Sequence, residues 1–200
     1  MENLPYSSAA ERNRDPILEQ LKLNLPEIGT VLEIGSGTGQ HAVFFTHNMP
    51  GVCWQPSDRA ENLEGLQACF NVEASDRILP LLQLDVIRDP WPERSYDAAF
   101  SANTAHIMSW NAVVAMFAGV STHLTSGGVF LLYGPFNIND QFTSLSNQQF
   151  DAHLRALDQQ MGIRDMTALK TLADKHGLTL GQKIAMPANN FILVFRKYEK

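Results

Sequence analysis

The stretch that most constrains this chain is Thr30-Val31-Leu32-Glu33-Ile34-Gly35-Ser36-Gly37-Thr38-Gly39-Gln40-His41-Ala42. A short apolar run (Val31, Leu32, Ile34) ends in three glycines at alternate positions, and a helix-like segment follows over 42–47. Strand, glycine loop and helix start, in that order, make one βα unit. Gly35, Gly37 and Gly39 permit positive φ and let a ligand come close to the main chain. In an open α/β sheet such a loop lies at the carboxyl edge of a parallel strand, where ligands bind. Two phosphate-binding alternatives fit poorly. A dinucleotide fingerprint wants its third glycine three residues after the second, and Gln40 stands there; a P-loop needs a lysine at the helix start, and this loop has none.

Composition narrows the partners. With 200 residues the chain is long enough for one domain, 1–200, with a full core. Its 44% hydrophobic and 18% charged residues are those of a soluble globular protein. The net charge of −6, with no basic cluster longer than Arg196-Lys197, argues against nucleic acid as a partner. Cys53 and Cys69 lack metal-ligand spacing and read as buried thiols of a reducing compartment. No histidine pair has zincin spacing, so no metal site is expected. Residues 1–14 carry no apolar signal-peptide region, and no apolar run approaches membrane-spanning length. Cytoplasmic residence away from the membrane is the expectation.

The rest of the chain repeats the strand–helix alternation. Asp15-Pro16 predicts a helix start with proline in the first turn, and Ile17, Leu18, Leu21 and Leu25 continue it at helical spacing. A helix over 40–48 stops at Pro50-Gly51, and 52–58 reads as the second strand. Asp58 falls about 20 residues beyond the glycines, near where an acid meets ribose hydroxyls in such a unit; a carboxylate accepts both hydroxyl protons. Asp58 also suits a helix cap, and Ser57 is a second candidate on the same edge. Residues 78–86 read as the third strand, 96–103 as the fourth and 129–133 as the fifth. Helices are expected over 62–71, 111–124, 148–160 and 166–176, and two last strands over 178–185 and 190–197. The polar segment 137–158, within a longer insertion 137–164, reads as a lid over the active face.

Taken together, the glycines after the first strand, the acids after the second and third and the polar exit of the fourth (Tyr96-Asp97 to Trp110) resemble the class I S-adenosylmethionine-dependent methyltransferases along nearly the whole chain. The resemblance implies a Rossmann-like α/β fold: a seven-stranded, mostly parallel sheet with an antiparallel last strand and helices on both faces. Ala9-Ala10-Glu11-Arg12-Asn13, Trp54-Gln55-Pro56-Ser57-Asp58 and Ala185-Met186-Pro187-Ala188-Asn189-Asn190 look, more narrowly, like a family of small methyltransferase-like proteins defined as a domain of unknown function. S-adenosylmethionine is then the implied cofactor. The glycine loop Gly35, Ser36, Gly37 and Gly39 would pass under its methionine part and Glu33 would orient its amino end. Asp58 and Ser57 would meet the ribose, Asp85 the adenine amino group and Val86 the ring. Asn103, at the exit of the fourth strand, would face the methyl group, and Arg12 and Asn13 would fold over the mouth.

A sulfonium methyl is already electrophilic, so such a protein mainly holds a nucleophile in line, an effect worth about 7–11 kcal/mol in favourable cases. A general base is needed only for a protonated acceptor. His106 is the candidate base because it follows the fourth strand and can titrate near neutral pH; a structural hydrogen bond at a helix start is the competing role. Asn103, Tyr133 and Phe136 would line the acceptor pocket, and His41 would flank the cofactor. The Asn/Asp-Pro-Pro-aromatic signature of many amino-group methyltransferases is missing after the fourth strand, and neither cysteine lies where a covalent nucleophile would. The expected function is methyl transfer to a small molecule. The alternatives are a non-catalytic module for S-adenosylmethionine or its demethylated product, and a nucleotide-dependent oxidoreductase.

Overall fold

A computed structural model describes residues 4–73 and 75–197. In chain order its elements are α1 (Ser8–Asn24), β1 (Gly29–Ile34), α2 (Gln40–Asn48), β2 (Val52–Asp58), α3 (Ala60–Glu73), β3 (Leu82–Gln83), β4 (Tyr96–Ala102), α4 (Trp110–His123), β5 (Leu124–Gly134), β6 (Phe136–Asn137), α5 (Leu145–Leu157), β7 (Arg164–Asp165), α6 (Met166–Lys175), β8 (Leu178–Met186) and β9 (Asn190–Lys197). Seven strands form one sheet in the order β3-β2-β1-β4-β5-β9-β8. Strands β1 to β5 pair in parallel, and β9 runs antiparallel to both its neighbours, β5 and β8. The strand order reverses between β1 and β4, so the crevice above these two is the topological switch point.

Side chains alternate across the central strands, and the two sets build two cores. Leu32, Ile34, Ala99, Phe130, Leu132, Leu193 and Phe195 pack with α4 and α6. Val31, Ala98, Phe100, Val129, Leu131, Ile192 and Val194 pack with α1, α2 and α3 on the opposite face. Asp97, at the start of β4, accepts from Thr30 N at 2.8 Å and ties the first strand to the fourth.

Several expectations are corrected. Helix α1 begins eight residues ahead of Pro16, at Ser8, with the Ser7 side chain capping Ala10 N, so Pro16 lies inside it. Proline there removes one backbone hydrogen bond. Contacts to α2 hold the early turns instead: Ser7 N donates to Gln40 Oε1 at 2.6 Å, and Arg14 lies over the Phe44 ring. The third strand shrinks to two residues. Pro80 cannot donate to a ladder, and the edge is completed by single bonds such as Leu79 N to Trp54 O and Gln55 Nε2 to Pro80 O. Strand β5 starts at Leu124 rather than at residue 129, so Thr125-Ser126-Gly127-Gly128 belongs to the strand. Helix α5 starts earlier than expected because Ser144 caps Asn147 N. Cys53 is half-buried, whereas Cys69 is buried. No helix among the described residues is long and apolar enough to cross a membrane.

Candidate functional site

The carboxyl ends of β1, β2, β4 and β5 gather most of the residues singled out in the sequence. At the end of β1 the three loop glycines have φ of +75°, +58° and +79°. Their surroundings differ. A methyl group on Gly35 would overlap Thr104 Cγ2, and one on Gly39 would press on Phe70 and Leu66. At Gly37 nothing lies within 4 Å of the place a Cβ would take. The loop is therefore tight against the protein on two sides and open at its middle.

Glu33 is 1% exposed and stands beneath this loop. Its Oε2 accepts from Ser36 Oγ at 2.7 Å and from Trp54 Nε1 at 2.9 Å. Burial pushes its carboxyl up to about 7; the bonds from Trp54 and Ser36 oppose the shift, and the nearby Asp58 charge adds to it. Ser57 Oγ donates to Glu33 O at 2.6 Å, and Ser57 O accepts from both Gly35 N and Ser36 N at 3.0 Å. Asp58, buried at the end of β2, accepts from Gly37 N at 2.7 Å through Oδ2, and from Arg59 N and Asn62 Nδ2 through Oδ1. It is thus both the loop's anchor and a helix cap. Three of a carboxylate's roughly four lone-pair positions are occupied, leaving room for a ligand hydroxyl.

Asp85 is half-buried beyond β3, where its Oδ1 accepts from Ile87 N and Arg88 N as a turn residue. Val86 is buried in the core that packs with α4. Among the described residues neither makes a hydrogen bond to the glycine loop, although the parallel strands place them along one edge.

Across β4 the chemistry changes. Asn103 sits at φ +58°, a left-handed conformation that asparagine tolerates better than most residues, and its N–H donates to Tyr133 O at 2.9 Å. Such backbone is common at functional sites. Thr104 bonds Ser101, whose Oγ reaches Ile34 O, so the β4 exit is fastened to the end of β1. His106 is 6% exposed, its ring edge-on to Phe150 at 5.2 Å. Burial, and then the Arg164 cation, hold its imidazole down to about 4. A Cβ at Gly134 would stand 3.7 Å from His106 Nδ1, 3.8 Å from Phe136 Cζ and 3.9 Å from Asn103 Oδ1. Those three side chains therefore surround one methyl-sized space at the end of β5.

The N-terminal helix closes the arrangement. Asn13 Oδ1 lies 2.7 Å from His41 Nε2, and both residues are buried. The Asn13 amide also counteracts the rise that burial imposes on the Tyr133 hydroxyl, which places it close to that group. His41 stacks on Phe45 at 5.1 Å and is held down to about 4 by burial. Arg12 is exposed. Three residues the sequence reading missed are structural keys here. Trp54 holds Glu33 from within β2. Gln40 accepts from Ser7 N and Thr38 Oγ1, joining the N-terminal segment to the glycine loop. Arg164 grips the turn that carries His106. Gln40 had a signal, since it stands where a nucleotide fingerprint wants glycine, and Trp54 opens the family-like segment 54–58; Arg164 had none, because its partners on the 104–108 turn are far away in the sequence.

The chain belongs to the family DUF938, described as a protein of unknown function, which it matches over residues 4–197. Its fold is that of solved methyltransferase structures. Human N-acetylserotonin methyltransferase, in complex with SAM, superposes with a TM-score of 0.78 at 20% identity, over 95% of this chain and 53% of that one. An O-methyltransferase family 2 protein from Planctomyces limnophilus, in complex with apigenin, gives 0.82 at 18% identity, over 94% and 58%. A methyltransferase of calicheamicin biosynthesis in its SAH-bound form gives 0.74 at 18%, over 92% and 54%. The chain thus spans little more than half the length of these proteins.

Proposed function

We propose that this protein forms one methyltransferase domain, binds S-adenosylmethionine along the carboxyl edge of β1, β2 and β4, and transfers its methyl group to a small-molecule acceptor. The observation that carries the reading is Gly37. Its left-handed backbone, the open space beside it and the 2.7 Å bond from its N–H to Asp58 Oδ2 make a cradle with a carboxylate at its end. The residues present fit a nucleoside with vicinal hydroxyls and a charged amino acid part.

In this reading Gly35, Ser36, Gly37 and Gly39 take the methionine part, and Ser57 and Asp58 take the ribose side. Asp85 and Val86 take the adenine. Glu33 acts from below, fixing Ser36 and, through Trp54, the second strand. Arg12 offers a cation to a carboxylate, and Asn13 holds His41 in place. The cofactor supplies an electrophilic methyl group. What the protein adds on the acceptor side is orientation. Asn103 and His106 bound the methyl-sized space next to Gly134. A histidine held near 4 is neutral at pH 7 and can accept a hydrogen bond from an O–H or N–H, but it is a weak base. That suits an acceptor that gives up its proton readily or has none to lose. Phe136, Phe150 and the uncharged polar groups beside Gly134 favour a small, largely apolar acceptor, and the net charge of −6 disfavours nucleic acid. One protein of this fold holds apigenin, a molecule of that kind. The 137–164 segment, lying against His106, covers this side.

Calorimetry with S-adenosylmethionine tests the reading, using the wild type, Gly37→Arg and Asp58→Asn, with circular dichroism to confirm folding. Gly37→Arg should abolish binding and Asp58→Asn weaken it at least tenfold. No binding by the wild type, or equal binding by all three, refutes it. Transfer of a labelled methyl group to any metabolite then separates an enzyme from a module that only holds the cofactor.

A further inference from the structure

The turn after β4 is held from outside by a segment more than 50 residues away. Arg164 Nε donates to Ala105 O at 2.9 Å, and its Nη2 reaches Met108 O and, at 2.9 Å, Gln160 O. Gly162 N donates to His106 O at 2.9 Å. Behind these bonds Asp151 joins the same segment to α5: Oδ1 accepts from Ile163 N at 2.7 Å, and Oδ2 pairs with Arg155 at 2.8 Å. Gly162 has φ +148°, and a Cβ there would come within 3 Å of Arg155 and Asp151, so no other residue fits easily. Phe150, on α5, supplies the wall against the His106 ring.

We infer that Arg164 is a positioning residue: its planar fork fixes the 104–108 turn and the 145–164 segment as one body, and so sets where His106 stands. Its place at the acceptor side rests on the functional reading above, but the coupling itself does not. The guanidinium is matched to the task. It donates in one plane to three carbonyls, which an ammonium cannot do with fixed geometry. A lid free to swing would not share three hydrogen bonds with the turn it covers. Opening the segment therefore means moving His106, and acceptor entry and His106 placement are one event.

The charged groups facing the turn are Arg164 itself, with Arg155 and Asp151 behind it. The test follows the His106 imidazole by NMR titration, assigned against His106→Asn, together with amide hydrogen exchange, in the wild type, Arg164→Ala and Arg164→Lys, all without cofactor. The inference expects two results. In Arg164→Ala the His106 midpoint climbs from about 4 toward its ordinary 6.5, and exchange over both 104–108 and 145–164 accelerates at least tenfold. Arg164→Lys, which keeps the charge and loses the fork, also raises the midpoint and loosens both segments. If the lysine variant matches the wild type, the role is electrostatic and the inference fails. It fails also if only one segment loosens. Should Arg164→Ala not fold, the lysine variant decides alone. Calorimetry with S-adenosylmethionine on Arg164→Lys is expected to match the wild type, so loss of cofactor binding by the wild type itself would bear on the functional reading and leave the coupling standing.

Discussion

Along the glycine loop the polar side chains find partners within the protein: Glu33 takes Ser36 and Trp54, Ser57 takes the Glu33 carbonyl, and Asp58 takes Gly37, Arg59 and Asn62. Across β4 and β5, neither the Asn103 side chain nor the His106 ring makes a hydrogen bond among the described residues, and aromatic groups stand around them. The first region is built to be rigid before any ligand arrives. The second leaves polar atoms facing a small space. Preorganisation on one side and open valence on the other are what a common cofactor and a particular acceptor would require of one site.

The sharpest way to break this contrast is at the glycines themselves. Gly35→Ala should lose about 1–2 kcal/mol for the left-handed Cβ and about 1–3 kcal/mol more for overpacking Thr104. Gly37→Ala should lose only the first amount, because its Cβ meets nothing. Urea unfolding of both variants measures the difference; equal losses would mean the loop is not pressed against the β4 exit.

The buried acid gives the next effect. Glu33 is raised in the folded protein from 4.5 to about 7, so the fold holds its proton longer than the unfolded chain does. Its contribution is full below pH 4.5 and is lost as pH rises through 7. His41 and His106 act in the opposite sense. Both are lowered, so the stability they add is present above 6.5 and lost as pH falls toward 4. Subtracting the Glu33→Gln curve from that of the wild type removes the histidine terms. The difference should shift in the variant's favour by about 3 kcal/mol between pH 4.5 and pH 8. A flat difference would show that Glu33 is already ionised and held by its partners.

The smallest effect on stability tests the acceptor side. Gly134→Ala meets ordinary contacts at 3.7–3.9 Å, so thermal unfolding should change by no more than about 0.5 kcal/mol. Cofactor binding should persist, while methyl transfer to whatever acceptor is found falls. Unimpaired transfer would move the acceptor away from this space.

Most of the sheet was legible because local pattern and fold agree. The glycine loop, the run of Leu131 and Leu132 and the hairpin ending at Lys197 each carry their signal in adjacent residues. Helix α1 begins earlier than its sequence suggests because Asp15-Pro16 is a strong local start signal, and the contacts that override it, Ser7 to Gln40 and Asn13 to His41, join residues about 30 positions apart. The third strand was overestimated because apolar residues around Pro80 look like a ladder that proline cannot complete. On the site, the acids and glycines could be placed by order along the chain. The surroundings of His106 could not, since Phe150, Gly162 and Arg164 come from an insertion whose sequence is polar and unremarkable. The same distance hid the depression of His106, because burial is a property of the whole fold.

The most direct test of the central claim is a titration of isotope-labelled protein with S-adenosylmethionine, followed by amide NMR. The account predicts saturable shifts concentrated at Gly35, Gly37 and Gly39, at Asp58 and Arg59, at Asp85 and Val86, and at Asn103. No saturable shift, or shifts confined to the groove of about 560 Å³ lined by Trp110, Thr171 and Lys175, would contradict it.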